Sequence, residues 1–237
     1  MAGNKQTPGD KRMLQASAYF AEGKHKKADA EYAAAIAAYE NSSPENTTRM
    51  ALAVFTRIHL RLRGLLDADA AELIQKGLRL TINSETPQLR RFHALFYLQA
   101  ASHSRLTKAM DDATELIQEA AQRLAADGEL ADQFELHQEE ALIHLAKEQV
   151  ERALSSAGGA LDRAEHPEQR LAAQFLMAQC KEAAGDSVGA LATLDRAAAI
   201  VHDHKIPDGS KQLKERQSAL IGRHPELDTA TDDSEWI

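Results

Sequence analysis

Five times along the chain an alanine is followed at i+4, i+7 and i+8 by residues that complete a single helical stripe. The sets are Ala28, Tyr32, Ala35, Ile36; Ala70, Ile74, Gly77, Leu78; Ala109, Ala113, Leu116, Ile117; Ala153, Ala157, Ala160, Leu161; and Ala190, Leu194, Ala197, Ala198. That spacing places all four positions on one side of a 3.6-residue helix. One amphipathic helix carries such a stripe by chance. Five of them, with anchors 42, 39, 44 and 37 residues apart, indicate one supersecondary unit stacked repeatedly. The small residues recur where a neighbouring helix has to come close.

Composition agrees with a helical array. Hydrophobic residues make up 43% of the chain but aromatics only 5%, so a core must be filled by bringing backbones together. Alanine suits this, having the highest helix propensity and letting helix axes approach. No stretch alternates apolar and polar residues as a strand would, and the fold class expected is all-α. Prolines punctuate the pattern. Ser43-Pro44-Glu45 and Thr86-Pro87-Gln88 read as an N-cap followed by proline at the first helical position, and Pro8 and Pro167 stand in similar places. Asp127-Gly128 supplies a break between Pro87 and Pro167, and Pro207 opens a further segment.

Two turns carry a family likeness. Gly23-Lys-His-Lys-Lys-Ala28 with Tyr32, Ala35 and Ile36, and Gly185-Asp-Ser-Val-Gly-Ala190 with Leu194 and Ala197, resemble the turn and second helix of a tetratricopeptide repeat. The period of about 37–44 residues makes this a divergent relative of that 34-residue repeat. The resemblance implies a right-handed superhelical array of about five antiparallel helix hairpins. Residues 8–223 would form the array, with 1–7 a flexible N-terminus and 224–237 a disordered acidic tail. Residues 209–223 form a last helix that turns Leu213, Leu220 and Ile221 inward amid charges, a polar-faced cap for the final repeat.

In such arrays the first helix of each hairpin lines a concave face. The likeness therefore points to Met13, Phe20, Phe55, His59, Leu62, Leu98, Leu142, Leu145, Phe175 and Gln179 as candidate partner-binding residues. Met13 and Ser17 stand where carboxylate-clamp arrays carry Lys and Asn, so chaperone C-terminus binding is not expected. Arg57 and Arg61, one turn apart, with Arg63, Arg90 and Arg91 form the densest charge cluster. Such a cluster is either a solvated face balanced by Asp67, Asp69 and Glu72, or a docking patch for carboxylates or phosphates, which guanidinium groups grip bidentately.

Signs of chemistry are thin. No glycine-rich phosphate loop and no nucleophile with base and orienting group can be placed. His137 and His144 are seven apart, which is not zincin spacing, and His202 and His204 suit a helix C-terminus. Adjacent Glu139 and Glu140 diverge on a helix, and Asp111-Asp112 favour a helix start. The lone Cys180 reads as a small buried residue. No enzyme, cofactor or metal site is expected. No apolar run approaches the ~20 residues of a membrane span and no signal-peptide pattern opens the chain, so a cytoplasmic location and no membrane partner are expected.

Net charge is -8, unevenly divided: +6 over residues 1–110 and -14 over 111–237. An acidic chain makes a poor nucleic-acid binder. The expected function is a non-enzymatic adaptor or scaffold that holds a peptide or protein partner, an acidic one if the basic half docks it. A sensor of a small ligand or signalling peptide and a chaperone for a secreted or assembling protein are the alternatives. Self-association through opposite halves is a further outcome of the asymmetry.

Overall fold

Each hairpin closes through the same turn, and that turn explains the element order. The computed structural model describes residues 7–40 and 46–227, where eleven α-helices and a final 3-10 turn account for the regular structure. They are α1 (Pro8–Ala21), α2 (His25–Glu40), α3 (Thr47–Leu62), α4 (Ala71–Thr81), α5 (Pro87–Leu106) and α6 (Met110–Asp127) in one compact unit. The second unit holds α7 (Leu130–Ala146), α8 (Val150–Arg163), α9 (Pro167–Ala183), α10 (Ser187–His204) and α11 (Gly209–Arg223), with a 3-10 turn at Pro225–Leu227. Successive helices pair as hairpins: three in the first unit, two plus α11 in the second. Within a unit, the second helix of one hairpin packs on the first helix of the next, and α3 also meets α5, as α7 meets α9. This is the all-α repeat architecture expected from the stripes.

At the end of every first helix one residue takes the left-handed conformation: Gly23, Gly64, Lys108, Glu148 and Gly185, with φ between 56° and 79°. Its own N–H and that of the next residue bond back in one repeated pattern. Gly23 donates to the Phe20 carbonyl at 3.0 Å and Lys24 to that of Tyr19 at 2.8 Å; Glu148 donates to Leu145 at 3.0 Å and Gln149 to His144 at 2.9 Å. This double bond set is the Schellman closure, which satisfies carbonyls that a helix end leaves open. In four hairpins the next residue is already the N-cap of the second helix; in the α3–α4 hairpin a loop follows Gly64 and α4 starts at Ala71.

First helices start as the prolines suggested. Thr7 caps α1, accepting from the Asp10 N–H at 3.2 Å, while Asp10 Oδ2 accepts from the Thr7 N–H at 2.9 Å. Thr86 caps α5 and Pro87 opens it. Pro167 opens α9, where Gln169 Oε1 accepts from the N–H groups of Glu165 and His166 at 2.9 and 3.2 Å. Thr7 is thus part of the fold rather than of a flexible leader. The Ser43-Pro44 cap and residues 1–6 lie outside the described residues.

The stripes are the packing surface. Ala28, Ala35, Ala153, Ala157, Ala160, Ala190 and Ala197 are wholly buried. In the α4 stripe a tight approach falls at the i+7 position. A methyl group on Gly77 would lie 2.5 Å from the Phe96 ring, so only glycine fits there. One stripe needs correction. The middle set slides one turn, to Ala113, Ile117 and Ala120, each buried, because Ala109 is the N-cap of α6 and is half-exposed. The anchors then stand 42, 43, 40 and 37 apart, a more even period than the sequence reading gave.

The C-terminal boundary also moves. Leu227 is 2% exposed and packs with Leu213, Leu220 and Phe175, so the array runs to 227. The expected disorder of the acidic tail concerns residues 228–237, outside the described residues. Cys180 is buried, and burial pushes its thiol pKa up to about 11. Among the described residues no helix is long and apolar enough to cross a membrane.

The turn and the stripe each make a prediction. Left-handed backbone strains a residue with a side chain by about 1–2 kcal/mol, partly offset by glycine's entropy. Lys108→Gly and Glu148→Gly should each raise stability by about 0.5–1 kcal/mol in thermal or urea melts; a loss at both would contradict the shared turn. Ala153→Leu should lower stability by ~1–3 kcal/mol through overpacking, and an unchanged melt would contradict its place in the packed stripe.

Candidate functional site

The helix stripes bury one side of each hairpin; what remains open is decided by the next helix along. In the second unit that next helix is α11, which has no partner helix of its own among the described residues. It packs along α10 through Leu213 and Leu220, both buried against the cluster holding Leu194, Ala197 and Val201. A groove of about 840 Å³ is left between α9 and α11, floored by Ala190 and Leu194 of α10. Phe175, Ala178, Gln179, Glu182 and Ala183 form its α9 wall, and Gln212, Glu215, Arg216, Ala219, Leu220 and Arg223 its α11 wall. Each set recurs at three- and four-residue intervals, the mark of one helix face.

Two cations span the groove. The Arg216 guanidinium lies 4.4 Å from the centre of the Phe175 ring, a cation–π contact. Desolvation there lowers the Arg216 pKa, although the residue as a whole stays exposed. Arg223 grips Glu182 with two bonds, Nε to Oε1 at 2.7 Å and Nη2 to Oε2 at 3.0 Å, and His224 Nε2 lies 3.3 Å from the same carboxylate. The Arg223 hydrogen bond chiefly holds the Glu182 pKa low, with the charges of Arg223 and His224 adding to it. The groove is therefore tied at one place by an ion pair and crossed two helical turns away, at Phe175, by a cation with no carboxylate partner among the described residues. Among the described residues the side-chain amides of Gln179 and Gln212 have no hydrogen-bond partner either.

Phe175 and Gln179 are the two sequence candidates that meet in this groove. The remaining candidates are spread over other helices. Leu98 is 4% exposed and belongs to the core. Leu62 and Phe55 pack against the core cluster of the first unit. Phe55 sets its ring edge-on to Phe92 and Phe96, with centroids 6.1 and 6.3 Å away. Leu142 packs beside Ala141, Ala153 and Leu176, and Arg91 is half-buried on α5. His59 is half-buried on α3, and burial, aided by the charge of Arg63, keeps its pKa low.

Arg57 and Arg61 do share a face, and both close on Asp29 of the preceding hairpin. Arg57 donates from Nε to Oδ1 at 2.8 Å and from Nη2 to Oδ2 at 3.2 Å; Arg61 donates from Nη1 to Oδ1 at 2.8 Å and from Nη2 to Oδ2 at 3.2 Å. Arg61 also donates to the Arg57 carbonyl at 2.7 Å. Its side chain is 8% exposed, so the pair clamps α2 to α3 and presents little surface. Of the expected balancing acids, Asp69 serves elsewhere: it accepts from the Ala71 N–H at 3.1 Å and lies 3.0 Å from His103 Nε2. The histidines also have local partners. His137 Nδ1 lies 2.8 Å from Glu140, and His144 Nδ1 lies 2.9 Å from Gln149 Oε1. No group of three or more His, Cys, Asp or Glu placed to hold a metal occurs among the described residues.

The α11 wall is what sequence reasoning missed. Gln212, Arg216, Ala219 and Arg223 follow a helical face, but a mixed polar face on a capping helix looks like one turned to solvent.

Comparison with family models and with curated proteins gives no match. Among solved structures, the crystal structure of BtubC (BKLC) from P. vanneervenii aligns over 83% of this chain and 80% of that one, at 20% identity and a TM-score of 0.62. The apo form of RapI aligns over 92% of this chain and 61% of that chain, at 13% identity and a TM-score of 0.69. At such identities the likeness is one of fold.

The Asp29 clamp gives a pH-dependent prediction. Burial alone would raise the Asp29 pKa, but hydrogen bonds and charge from Arg57 and Arg61 hold it below the usual value. A depressed carboxylate pKa adds stability that is complete above the unfolded value, about 3.9, and lost as pH falls through the folded one. Asp29→Asn should therefore cost about 1–3 kcal/mol at pH 7, with the gap from wild type shrinking in acid melts. A gap that is absent at pH 7, or unchanged in acid, would contradict the clamp.

Proposed function

We propose that this chain is a non-enzymatic protein-interaction module that holds an extended peptide segment of a partner in the groove between α9 and α11. The observation that carries this reading is the groove itself, apolar at its floor and polar at its walls. Its volume of about 840 Å³ falls in the range of about 300–1,000 Å³ found for binding clefts. Small side chains at Ala178, Ala183, Ala190 and Ala219 leave room for a bulky side chain against Phe175, Leu194 and Leu220. A peptide in extended form presents alternating N–H and C=O groups. The Gln179 and Gln212 amides, each with donors and an acceptor, suit such a backbone. Arg216, without a carboxylate, favours an acidic residue in the bound segment. An open trough walled by such groups fits a sequence-selective segment better than an enclosed sensor pocket or a broad chaperone surface. Adaptor, scaffold and peptide-responsive regulator remain compatible uses of this one site.

A displayed random-peptide library selected on the full chain tests the reading. Ala219→Glu puts a charge on the exposed α11 wall without entering the core. Selected peptides should bind that variant at least about tenfold more weakly, a difference of about 1.4 kcal/mol. Equal binding to wild type and variant, with the variant's helicity unchanged, would remove the groove from consideration.

A further inference from the structure

The last described residue belongs to the apolar cluster that also lines the groove. Leu227 packs in the same cluster as Phe175, Ala178, Ala190, Leu194 and Leu220, all of which line the trough. The residues that follow are Asp-Thr-Ala-Thr-Asp-Asp-Ser-Glu-Trp-Ile, 228–237. This segment carries four acidic residues and no basic one, and it contains Trp236, the sole tryptophan of the chain, beside Ile237. Its chemistry complements the trough: an aromatic–aliphatic pair for the alanine-lined floor, carboxylates for Arg216, and a peptide backbone for the two glutamine amides.

We propose that residues 228–237 are an internal ligand of this groove, with Trp236 and Ile237 on its apolar floor and the neighbouring acidic residues toward Arg216. This rests on the groove being a peptide site and adds how that site is regulated. Reach is sufficient. Trp236 lies nine residue steps beyond Leu227, and an extended chain covers about 3.3 Å per step, roughly 30 Å. The groove runs along part of α9, whose whole length is about 25 Å at 1.5 Å per residue. Affinity need not be high, because a tethered segment acts at an effective concentration on the order of 1 mM. A free-peptide Kd of about 0.1 mM would then leave the segment docked about nine-tenths of the time. A partner segment would have to displace it, so its apparent affinity would fall about tenfold.

The sole tryptophan makes the test direct. In the full chain, Trp236 emission should be blue-shifted and protected from acrylamide, and Ala219→Glu should shift it toward the solvent-exposed value with helicity unchanged. Full-length Trp236→Ala contains no tryptophan. A synthetic peptide of residues 228–237 should bind it with a saturable blue shift, and at least tenfold more weakly when Ala219→Glu is added. Library-selected peptides should bind Trp236→Ala about tenfold more tightly than wild type. Exposed Trp236 emission in wild type, protection indifferent to Ala219→Glu, or protection that grows with protein concentration would each overturn the proposal; the last would assign the segment to a second copy. If the 228–237 peptide fails to bind Trp236→Ala while library peptides still do so through the groove, the internal ligand falls and the groove reading stands. If library peptides ignore the groove as well, both fall.

Discussion

The left-handed residue at the end of each first helix is the constraint on which the hairpins depend. It turns the chain in three residues and lets two N–H groups return to the helix that has just ended. In four of the hairpins the second helix therefore starts at once, and its N4 alanine lands against the first helix: Ala28, Ala113, Ala153 and Ala190, all fully buried. The short turn and the small residue are one device. A longer connection loosens the register, as the α3–α4 hairpin demonstrates. There α4 begins late, Ala70 caps it, and the tight approach at Gly77 is to Phe96 of α5, in the next hairpin.

How far this was legible in the sequence follows from which residues fill the turn. Gly23 and Gly185 announce a left-handed turn, and the first and last hairpins resemble the tetratricopeptide pattern for that reason. Lys108 and Glu148 take the same conformation without glycine's signature, so the middle hairpins are visible only through their stripes. With no turn residue to fix the register, the α6 stripe slips by one helical turn, since Ala109 and Ala113 satisfy the spacing equally well. The clamp on Asp29 was hidden for a different reason. Arg57 and Arg61 face the preceding hairpin, and their carboxylate comes from 28 and 32 residues earlier, beyond any local pattern. Leu227 was hidden by its company, one apolar residue at the head of an acidic stretch.

The candidate site arises from the way the array of the second unit ends. A helix that covers the last hairpin need only hide α10's apolar flank, which Leu213 and Leu220 do. Among the described residues no helix follows α11 to complete a hairpin, the α9 face beside it stays open, and long side chains bridge the gap where backbones do not. Arg223 on Glu182 ties α11 to α9, and Arg216 rests on Phe175. Among the described residues the groove thus brings together an apolar floor, two amides without a hydrogen-bond partner and a cation without a carboxylate. In the first unit Arg57 and Arg61 of the charge cluster are committed to the Asp29 clamp, which makes those two a joint between hairpins.

Whether the α9–α11 groove is the binding site is tested most directly by amide hydrogen exchange on full-length Trp236→Ala, whose internal segment no longer competes, with and without a saturating library-selected peptide. The account predicts slowed exchange concentrated in residues 175–183 and 212–223, with α1–α6 unchanged. Protection confined to α3 and α5, or spread evenly over the chain, would contradict it.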